Sequence, residues 1–141
     1  MVFTSAAATQ ACPCGTGAAY RACCGPLHDG EPASTAEQLM RSRYSAYALD
    51  LRDYLFRTWH PRTRPDDLSP AGGIEWLGLE ILATVDGGAS DEEGTVEFVA
   101  RSQDPSGEHA LHETSRFVRR GGRWVYLDGD VGPGVRLRSA T

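Results

Sequence analysis

The spacing of apolar positions changes once along the chain, from a helical period in the first half to alternation in the second. The helical stripe recurs at steps of four, three and four residues and consists of Met40, Tyr44, Tyr47 and Leu51. Ser34 or Thr35 can cap its start, because a Glu or Gln follows each of them three residues later in a capping-box pattern. The pattern predicts a helix from about residue 35 to residue 49.

A second apolar stripe predicts a short helix directly after the first. It consists of Leu51, Tyr54, Leu55 and Trp59. Asp50 can cap this helix at its start. We expect it to end before Pro61, because proline disfavours the helical conformation of the residue that precedes it.

From Ile74 onward, apolar and polar residues alternate, which indicates strands with one buried face. The alternating sets are Leu77, Leu79, Ile81 and Val85, followed by Val96, Phe98 and Ala100. The glycine-rich segment DGGASDEEG between them predicts a hairpin tip, and two further strands over 108–119 and 123–129 are joined by RGG. Helices followed by antiparallel strands with short connections predict an α+β fold, with the helices packed on one face of the sheet.

The four cysteines of the chain lie close together in the sequence and are Cys12, Cys14, Cys23 and Cys24. Structural zinc is normally held tetrahedrally by four Cys or His ligands, and the thiols give up their protons to the metal. We therefore expect one structural zinc ion with no open position for catalysis. His28 follows the last cysteine by four residues; we expect it to support the site or belong to a linker, and a role as a ligand stays open.

A disulfide, a redox site and inert thiols are the alternatives for this cluster. A disulfide between the adjacent Cys23 and Cys24 would be a strained ring, and the C-x-x-C spacing of thioredoxin-like sites is absent. The sequence has no signal-peptide pattern and no run near the ~20 apolar residues of a transmembrane helix, so we expect a cytoplasmic protein. Reducing conditions there favour metal binding over disulfides.

Charge and length limit the functional class. The 141 residues carry a formal net charge of −5, and the sequence pI is about 5.3. Nucleic-acid-binding domains usually have a basic stripe and a pI above about 9, so we expect no nucleic-acid partner. The length fits one ordinary domain with a small appendage.

Two parts of the sequence resemble known families. CPCGTGAAYRACCG resembles the SEC-C motif, a zinc knuckle found at the C-terminal tail of the SecA translocase ATPase and on other bacterial proteins. Downstream, LMRSRYSAYAL, DYLFRTWHP, EWLGLEI, VEFVAR, HETSRFVR and GRWVYLDG resemble the YchJ family of small bacterial proteins. The resemblance implies a knuckle followed by a domain with the cone-shaped fold of nuclear transport factor 2 (NTF2), in which a curved antiparallel sheet packs against helices.

Composition, together with the resemblance, predicts how the chain is divided. The expected segments are a disordered tail at 1–11, a zinc knuckle at 12–28, a linker at 29–33, a cone domain at 34–130 and a tail at 131–141. Some family members end in a second knuckle, whereas this chain closes with GVRLRSAT, which has no cysteine. We therefore expect a single zinc ion.

The knuckle of SecA is rich in lysine between its cysteine pairs and is associated with docking onto the acidic chaperone SecB. In this chain the same segment contains three alanines and a single basic residue, Arg21. A zinc ion with four thiolates carries a formal charge of −2, so such a knuckle attracts acidic partners poorly. We expect it to contact another protein through the apolar side chains of Tyr20 and Leu27 instead.

Two carboxylates are expected inside the cone. Alternation along LHETSRF places Glu113 on the inner face with Ser115, and Asp128 is expected to share a face with Tyr126. Together with His60, which lies where the second helix meets proline, they can form an acid/base site.

Each of these residues also has a structural interpretation. Glu113 can pair with a buried arginine, for which Arg43 or Arg116 is available. Asp128 can cap the turn that it begins, and His60 can cap the end of the second helix. The residues expected to line the cone pocket are Tyr44, Tyr47, Trp59, Trp76, Ser115, Trp124 and Tyr126.

Two functions compete at this point. The first is a zinc-binding docking, adaptor or ligand-binding module, with another protein at the knuckle and a small molecule in the cone. The alternative is a small cofactor-independent enzyme of hydrolase or isomerase type, with its acid/base site in the cone pocket. We expect no membrane partner and a monomer or homodimer.

Overall fold

The structure, a computed structural model, describes residues 9–68 and 73–132 of the chain. After a 3-10 turn at Tyr20–Ala22, its helices and strands are α1 (Gly25–His28), α2 (Ala36–Leu49), α3 (Arg52–Arg57), β1 (Glu75–Asp86), β2 (Glu93–Asp104), β3 (Gly107–Arg120) and β4 (Arg123–Val131). This order confirms the predicted α+β class. The predicted tails lie mostly outside the described residues, within which no helix has the length and hydrophobicity needed to cross a membrane.

Helix α2 begins where the capping pattern predicts. The hydroxyl of Thr35 accepts a hydrogen bond from the backbone N–H of Gln38, and the Gln38 side-chain oxygen accepts one from the backbone N–H of Ser34. At the other end, Asp50 adopts the left-handed conformation with a φ of 59° and ends α2. The expectation that Asp50 caps the second helix is therefore wrong, because α3 begins only at Arg52 and has no side-chain cap.

The four strands form an antiparallel meander in the order β1-β2-β3-β4. The segment DGGASDEEG connects β1 to β2 as predicted, and a two-residue turn connects β3 to β4. The chain after α3 adds to the outer edge of β4. There, the backbone N–H of His60 donates to the carbonyl of Tyr126 at 2.8 Å, and the N–H of Tyr126 donates to the carbonyl of Thr58 at 2.8 Å.

Register shifts in β1 move some predicted core residues to the surface. Leu77 has no partner in β2, because Trp76 and Gly78 pair with consecutive residues of that strand. Such a bulge breaks the strict alternation of faces, and a second shift follows at Leu82. Leu77 and Val85 are 43% and 60% exposed, so the prediction that they face the core is wrong.

Helix α2 lies on one face of the sheet and contacts β1, β2 and β4. The fully buried side chains include Leu39 of α2, Val96 of β2 and Phe117 of β3. Removing these apolar side chains from water is the main force that holds the helix on the sheet.

The cysteine segment belongs to the same core. Tyr20 and Leu27 are only 5% and 4% exposed, and both belong to the buried cluster that contains Leu39 and Phe117. The expectation that Tyr20 and Leu27 dock a partner is therefore wrong, because the body of the protein covers them. The division into knuckle, linker and cone domain stays a prediction.

We predict that Leu27→Ala lowers the free energy of unfolding by about 2–5 kcal/mol, because it leaves a cavity between the cysteine segment and α2. Leu82→Ala is the matched control, since Leu82 is 45% exposed and its truncation is expected to cost under about 1 kcal/mol. Urea unfolding measures both variants. Equal costs would contradict a shared core.

Candidate metal centre

The thiol sulfur atoms of Cys12, Cys14, Cys23 and Cys24 all lie within 4.8 Å of one another. The sulfurs of Cys14 and Cys23 are 3.5 Å apart. In a tetrahedral zinc site with Zn–S bonds of about 2.3 Å, the sulfurs are separated by about 3.8 Å. The cluster therefore has the size of a four-thiolate site and can hold a metal ion.

Tight turns bring the two pairs of cysteines together. The backbone N–H of Cys12 donates to the carbonyl of Ala18 at 2.8 Å and closes a loop in which Gly15 has a φ of 88°. A residue with a Cβ atom is strained at this angle, so the loop needs glycine at this position. The 3-10 turn at Tyr20–Ala22 then returns the second cysteine pair to the first.

Hydroxyl groups surround the sulfurs. The hydroxyl of Ser45, a fully buried residue of α2, lies 3.4 Å from the sulfur of Cys12 and 3.4 Å from that of Cys24. The Thr16 hydroxyl lies 3.1 Å from the sulfur of Cys23. Hydroxyls that donate to sulfur stabilise the thiolate form that binds metal, so α2 is part of the site.

The packing of the thiols shifts their pKa values in opposite directions. Hydrogen bonds with Cys12 and Cys24 lower the pKa of the Cys14 thiol, whereas hydrogen bonds with Cys12 and Cys14 raise the pKa of Cys24. Burial raises the pKa of Cys23. Because negative charges at this distance repel one another, four thiolates need a cation among them.

Arg41 of α2 adds a positive charge beside the cysteine segment, whose own single basic residue is Arg21. The guanidinium of Arg41 donates to the carbonyl of Cys14 at 2.8 Å and to the carboxylate of Glu37 at 3.0 Å. Charges between the cysteines alone do not reveal this arginine, which comes from α2. Its spacing of four residues from Ser45, on the same face of a predicted helix, is the signal that could have identified it.

His28 connects α1 to α2 and is not placed to bind a metal ion. Its Nε2 lies 2.8 Å from the carbonyl oxygen of Ser42, so Nε2 carries the proton that it donates. Its Nδ1 accepts the hydroxyl of Tyr20 at 2.5 Å. Burial lowers the pKa of His28, which favours the neutral ring that these two bonds require.

Glu113 lies on the inner face of β3, as predicted. Its Oε2 accepts hydrogen bonds from the hydroxyls of Ser115 at 2.7 Å and Tyr126 at 3.0 Å. The carboxylate rests on Gly129 of the neighbouring strand, where a Cβ atom would lie 2.0 Å from Oε2. Burial, followed by the charge of Glu113, raises the pKa of Tyr126 and keeps its hydroxyl protonated as a donor.

The structure does not place Asp128 beside Glu113. Arg116 pairs with Asp128 in the β3–β4 register and Phe117 pairs with Tyr126, so Leu127 is an extra residue that reverses the face of Asp128. The Asp128 carboxylate accepts a hydrogen bond from Arg116 at 2.5 Å, and its side chain is 46% exposed. The predicted inward position of Asp128 is therefore wrong, and so is the suggested pair of Arg116 with Glu113.

The other suggested partner of Glu113, Arg43, is held by aromatic rings. Its guanidinium carbon lies 4.9 Å from the ring centroid of Trp59 and 4.9 Å from that of Tyr126. Its Nη1 donates to the Thr58 hydroxyl at 2.7 Å. Among the described residues no carboxylate oxygen lies within 4 Å of Arg43. Tyr126 therefore stands between Arg43 and Glu113, because its ring faces the cation and its hydroxyl bonds the carboxylate.

His60 and the remaining aromatic candidates have mainly structural contacts. Nδ1 of His60 accepts the backbone N–H of Arg62 at 3.0 Å. The rings of Tyr44 and Trp76 pack edge to face with centroids 5.6 Å apart, while Tyr47 is 43% exposed. The indole N–H of Trp124 donates to a backbone carbonyl, and Trp124 is only 2% exposed.

Comparison with known proteins identifies two families. The YchJ middle NTF2-like domain matches residues 35–129, and the SEC-C motif matches residues 9–26. A UPF0225 protein of Chromobacterium violaceum is 53% identical over 129 residues, which cover 88% of this chain and 95% of that protein. A UPF0225 protein of Streptomyces coelicolor is 52% identical over 123 residues, which cover 86% of this chain and 96% of that protein.

Two solved structures share the fold. The solution structure of a SEC-C motif containing protein from Rhodopseudomonas palustris has a TM-score of 0.76 and 37% identity, and the match covers 87% of this chain and 99% of that one. The crystal structure of a SEC-C motif containing protein from Psychrobacter arcticus has a TM-score of 0.72 and 34% identity, and the match covers 92% and 87%. These matches confirm the predicted NTF2-like fold with an N-terminal SEC-C motif.

We predict that Gly129→Ala lowers the free energy of unfolding by about 1–3 kcal/mol, because the new Cβ displaces the Glu113 carboxylate from the Ser115 and Tyr126 hydroxyls. In a Glu113→Ala background the same change is expected to be neutral or slightly stabilising, since the clash is gone and alanine is less flexible than glycine when unfolded. Urea unfolding of the four proteins of this cycle measures the coupling. Additive effects would contradict the contact.

Proposed function

The chain belongs to the YchJ (UPF0225) family, and we propose that it is a ligand-binding module in which one structural zinc ion fixes the fold of the cysteine segment, which packs against helix α2. The observation that carries the proposal is the group of four mutually close sulfurs, which share a buried core with α2. When bound, zinc supplies a cross-link between the two cysteine pairs, which are separated by eight residues in the sequence.

The donor set favours zinc in a structural role. Four thiolates fill a tetrahedral shell and leave no position for water or substrate. Three of the four cysteines are buried. The hydroxyls of Ser45 and Thr16 and the nearby guanidinium of Arg41 partly balance the negative charge of such a centre.

The cross-link has a consequence for the surface beside it. Helix α1 directly follows the last cysteine, and its residue Leu27 packs into the core. The carbonyls of His28 and Gly30 accept hydrogen bonds from Arg57 at 2.9 Å and from Arg123 at 3.4 Å. A metal ion that fixes α1 would therefore also fix the position of these arginines. For this reason we assign ligand binding to the cleft that the chain around α1 forms with α3 and the β3–β4 hairpin.

Docking of another protein at the cysteine segment is a second part of the proposal. Tyr20 and Leu27 are covered, so the available surface is the exposed loop that contains Thr16, Gly17 and Arg21. This surface is small and polar and favours a weak, transient contact.

We predict one zinc ion per chain in the purified protein and none in Cys14→Ser, because the buried sulfur of Cys14 belongs to the ligand set. Elemental analysis by mass spectrometry measures the metal content.

Removal of zinc with a chelator is expected to lower the midpoint of thermal unfolding by at least about 10 °C and to increase proteolysis of residues 9–35, because binding energy at a structural zinc site is folding energy. Re-addition of zinc is the control and must restore both properties. Identical melting of the metal-free and zinc-loaded chains would overturn the structural role.

The enzyme alternative is supported by one observation. Glu113 is a carboxylate on the inner face that accepts hydrogen bonds from two hydroxyls, those of Ser115 and Tyr126. The ring of Tyr126 in turn contacts the guanidinium of Arg43. Such a group can act as an acid or base.

We predict, for this alternative, that Glu113→Gln removes hydrolysis of p-nitrophenyl acetate while circular dichroism shows a folded chain. Glu108→Gln, at an exposed position of the same strand, is the matched control. Equal rates for the wild type and both variants would count against a catalytic Glu113.

A further inference from the structure

A cleft of about 280 Å³ lies between the chain around α1, helix α3 and the β3–β4 hairpin. Four arginines line it, Arg57, Arg64, Arg120 and Arg123, together with one acidic residue, Glu31. We call this set the arginine cleft. The whole chain carries a net charge of −5, so the cleft is a local concentration of positive charge on an acidic protein.

The charges of the arginine cleft are not neutralised by carboxylates. Among residues 9–68 and 73–132, no Asp or Glu oxygen lies within 4 Å of any of the four guanidinium groups. Elsewhere in this protein surface arginines do pair with carboxylates, as between Arg116 and Asp130. Within the described residues the four guanidinium groups are therefore not paired and outnumber the single carboxylate of the lining, so the cleft keeps a net positive charge for a ligand.

Neutral groups hold two of the arginines in place. Arg57 lies over the ring of Tyr54 at 4.8 Å and donates to the carbonyl of His28 at 2.9 Å. Arg64 lies over the ring of Phe56 at 3.6 Å. Carbonyls and aromatic faces orient a guanidinium without cancelling its charge, so less conformational freedom is lost when a ligand binds.

The inner surface of the cleft has an apolar and aromatic part. Exposed Pro32 and Pro61 and half-buried Trp59 contribute to it, and the nearly covered side chains of Leu27, Leu39 and Trp124 lie beneath. The buried indole N–H of Trp59 has no acceptor in the described part of the chain. An apolar floor below a cationic rim fits a ligand that has an apolar or aromatic body and an anionic group at one end.

We propose that the arginine cleft binds a small phosphorylated organic molecule, with the phosphate at the guanidinium rim and the apolar or aromatic body against the inner wall. A phosphate monoester carries up to two negative charges and three equivalent oxygens, which match several guanidinium groups better than a single carboxylate does. The cleft volume is near the lower end of the ~300–1,000 Å³ typical of ligand sites, which favours a small ligand. This inference rests on the proposed ligand-binding function and names its ligand class.

The test is a titration of the zinc-loaded full chain with phenyl phosphate, monitored by tryptophan fluorescence and by backbone amide shifts. We expect saturable binding, with shifts confined to the cleft and an affinity at least about tenfold higher than for inorganic phosphate or benzoate. The double variant Arg120→Gln/Arg123→Gln is expected to weaken binding at least about tenfold, since it removes two rim charges. Arg101→Gln, an exposed arginine of β2, is the control and should bind like the wild type.

Several results would overturn the inference. Absence of binding at 10 mM ligand, or unchanged affinity in the double variant, removes the cleft as the site. If benzoate binds as tightly as phenyl phosphate, the site does not prefer phosphate over carboxylate. If inorganic phosphate binds as tightly as phenyl phosphate, the apolar body of the ligand does not contribute to binding. Zinc content and melting temperature, measured on the same samples, show separately whether the structural role of zinc holds.

Discussion

The packing of the cysteine segment onto helix α2 is the contact on which the rest of this structure depends. Helix α2 contacts both the cysteine segment and the sheet. Its Ser45 hydroxyl lies next to the cysteine sulfurs, and its Leu39 side chain packs in the core with the sheet. The hydrogen bond between His28 and the carbonyl of Ser42 fixes α1 to the same helix. The SEC-C segment therefore shares the buried core of the protein, and α1 forms part of the wall of the arginine cleft.

The sequence predicted those features that depend on local chemistry. Capping at Thr35, the glycine-rich turns and the spacing of the cysteines each reflect contacts within a few residues, and the structure has them where they were expected. It did not predict the bulges at Leu77 and Leu127, because an extra residue in a strand leaves no mark on the pattern of residue types. Strict alternation therefore predicts that Asp128 lies on the inner face, whereas the bulge at Leu127 turns it to the outer one. The arginine cleft was missed because its members come from helix, loop and hairpin and meet only in the folded chain.

Arg43 shows how this fold accommodates a buried charge. The residue is only 4% exposed, and burial lowers the pKa of its guanidinium, yet its contacts are hydroxyl, carbonyl and aromatic groups. The rings of Trp59 and Tyr126 offer the negative faces of their π systems to the cation. The hydroxyl of Tyr126 donates a hydrogen bond to Glu113, so one tyrosine contacts both the buried cation, Arg43, and the carboxylate of the inner face.

The bulges have a further effect at the sheet margins. The outer edge of β4 is occupied by backbone bonds to Thr58 and His60, and the opposite outer strand, β1, has its hydrogen-bonding rhythm interrupted at Leu77 and Leu82. A long regular edge with exposed apolar side chains is a template for strands of other chains. The bulges bend and twist β1, and a covering segment occupies the edge of β4, so neither outer strand presents a flat, regular edge. Twisting an edge away is one of the devices by which native sheets disfavour pairing with other chains, so the irregularity that hides the register from the sequence also works against aggregation.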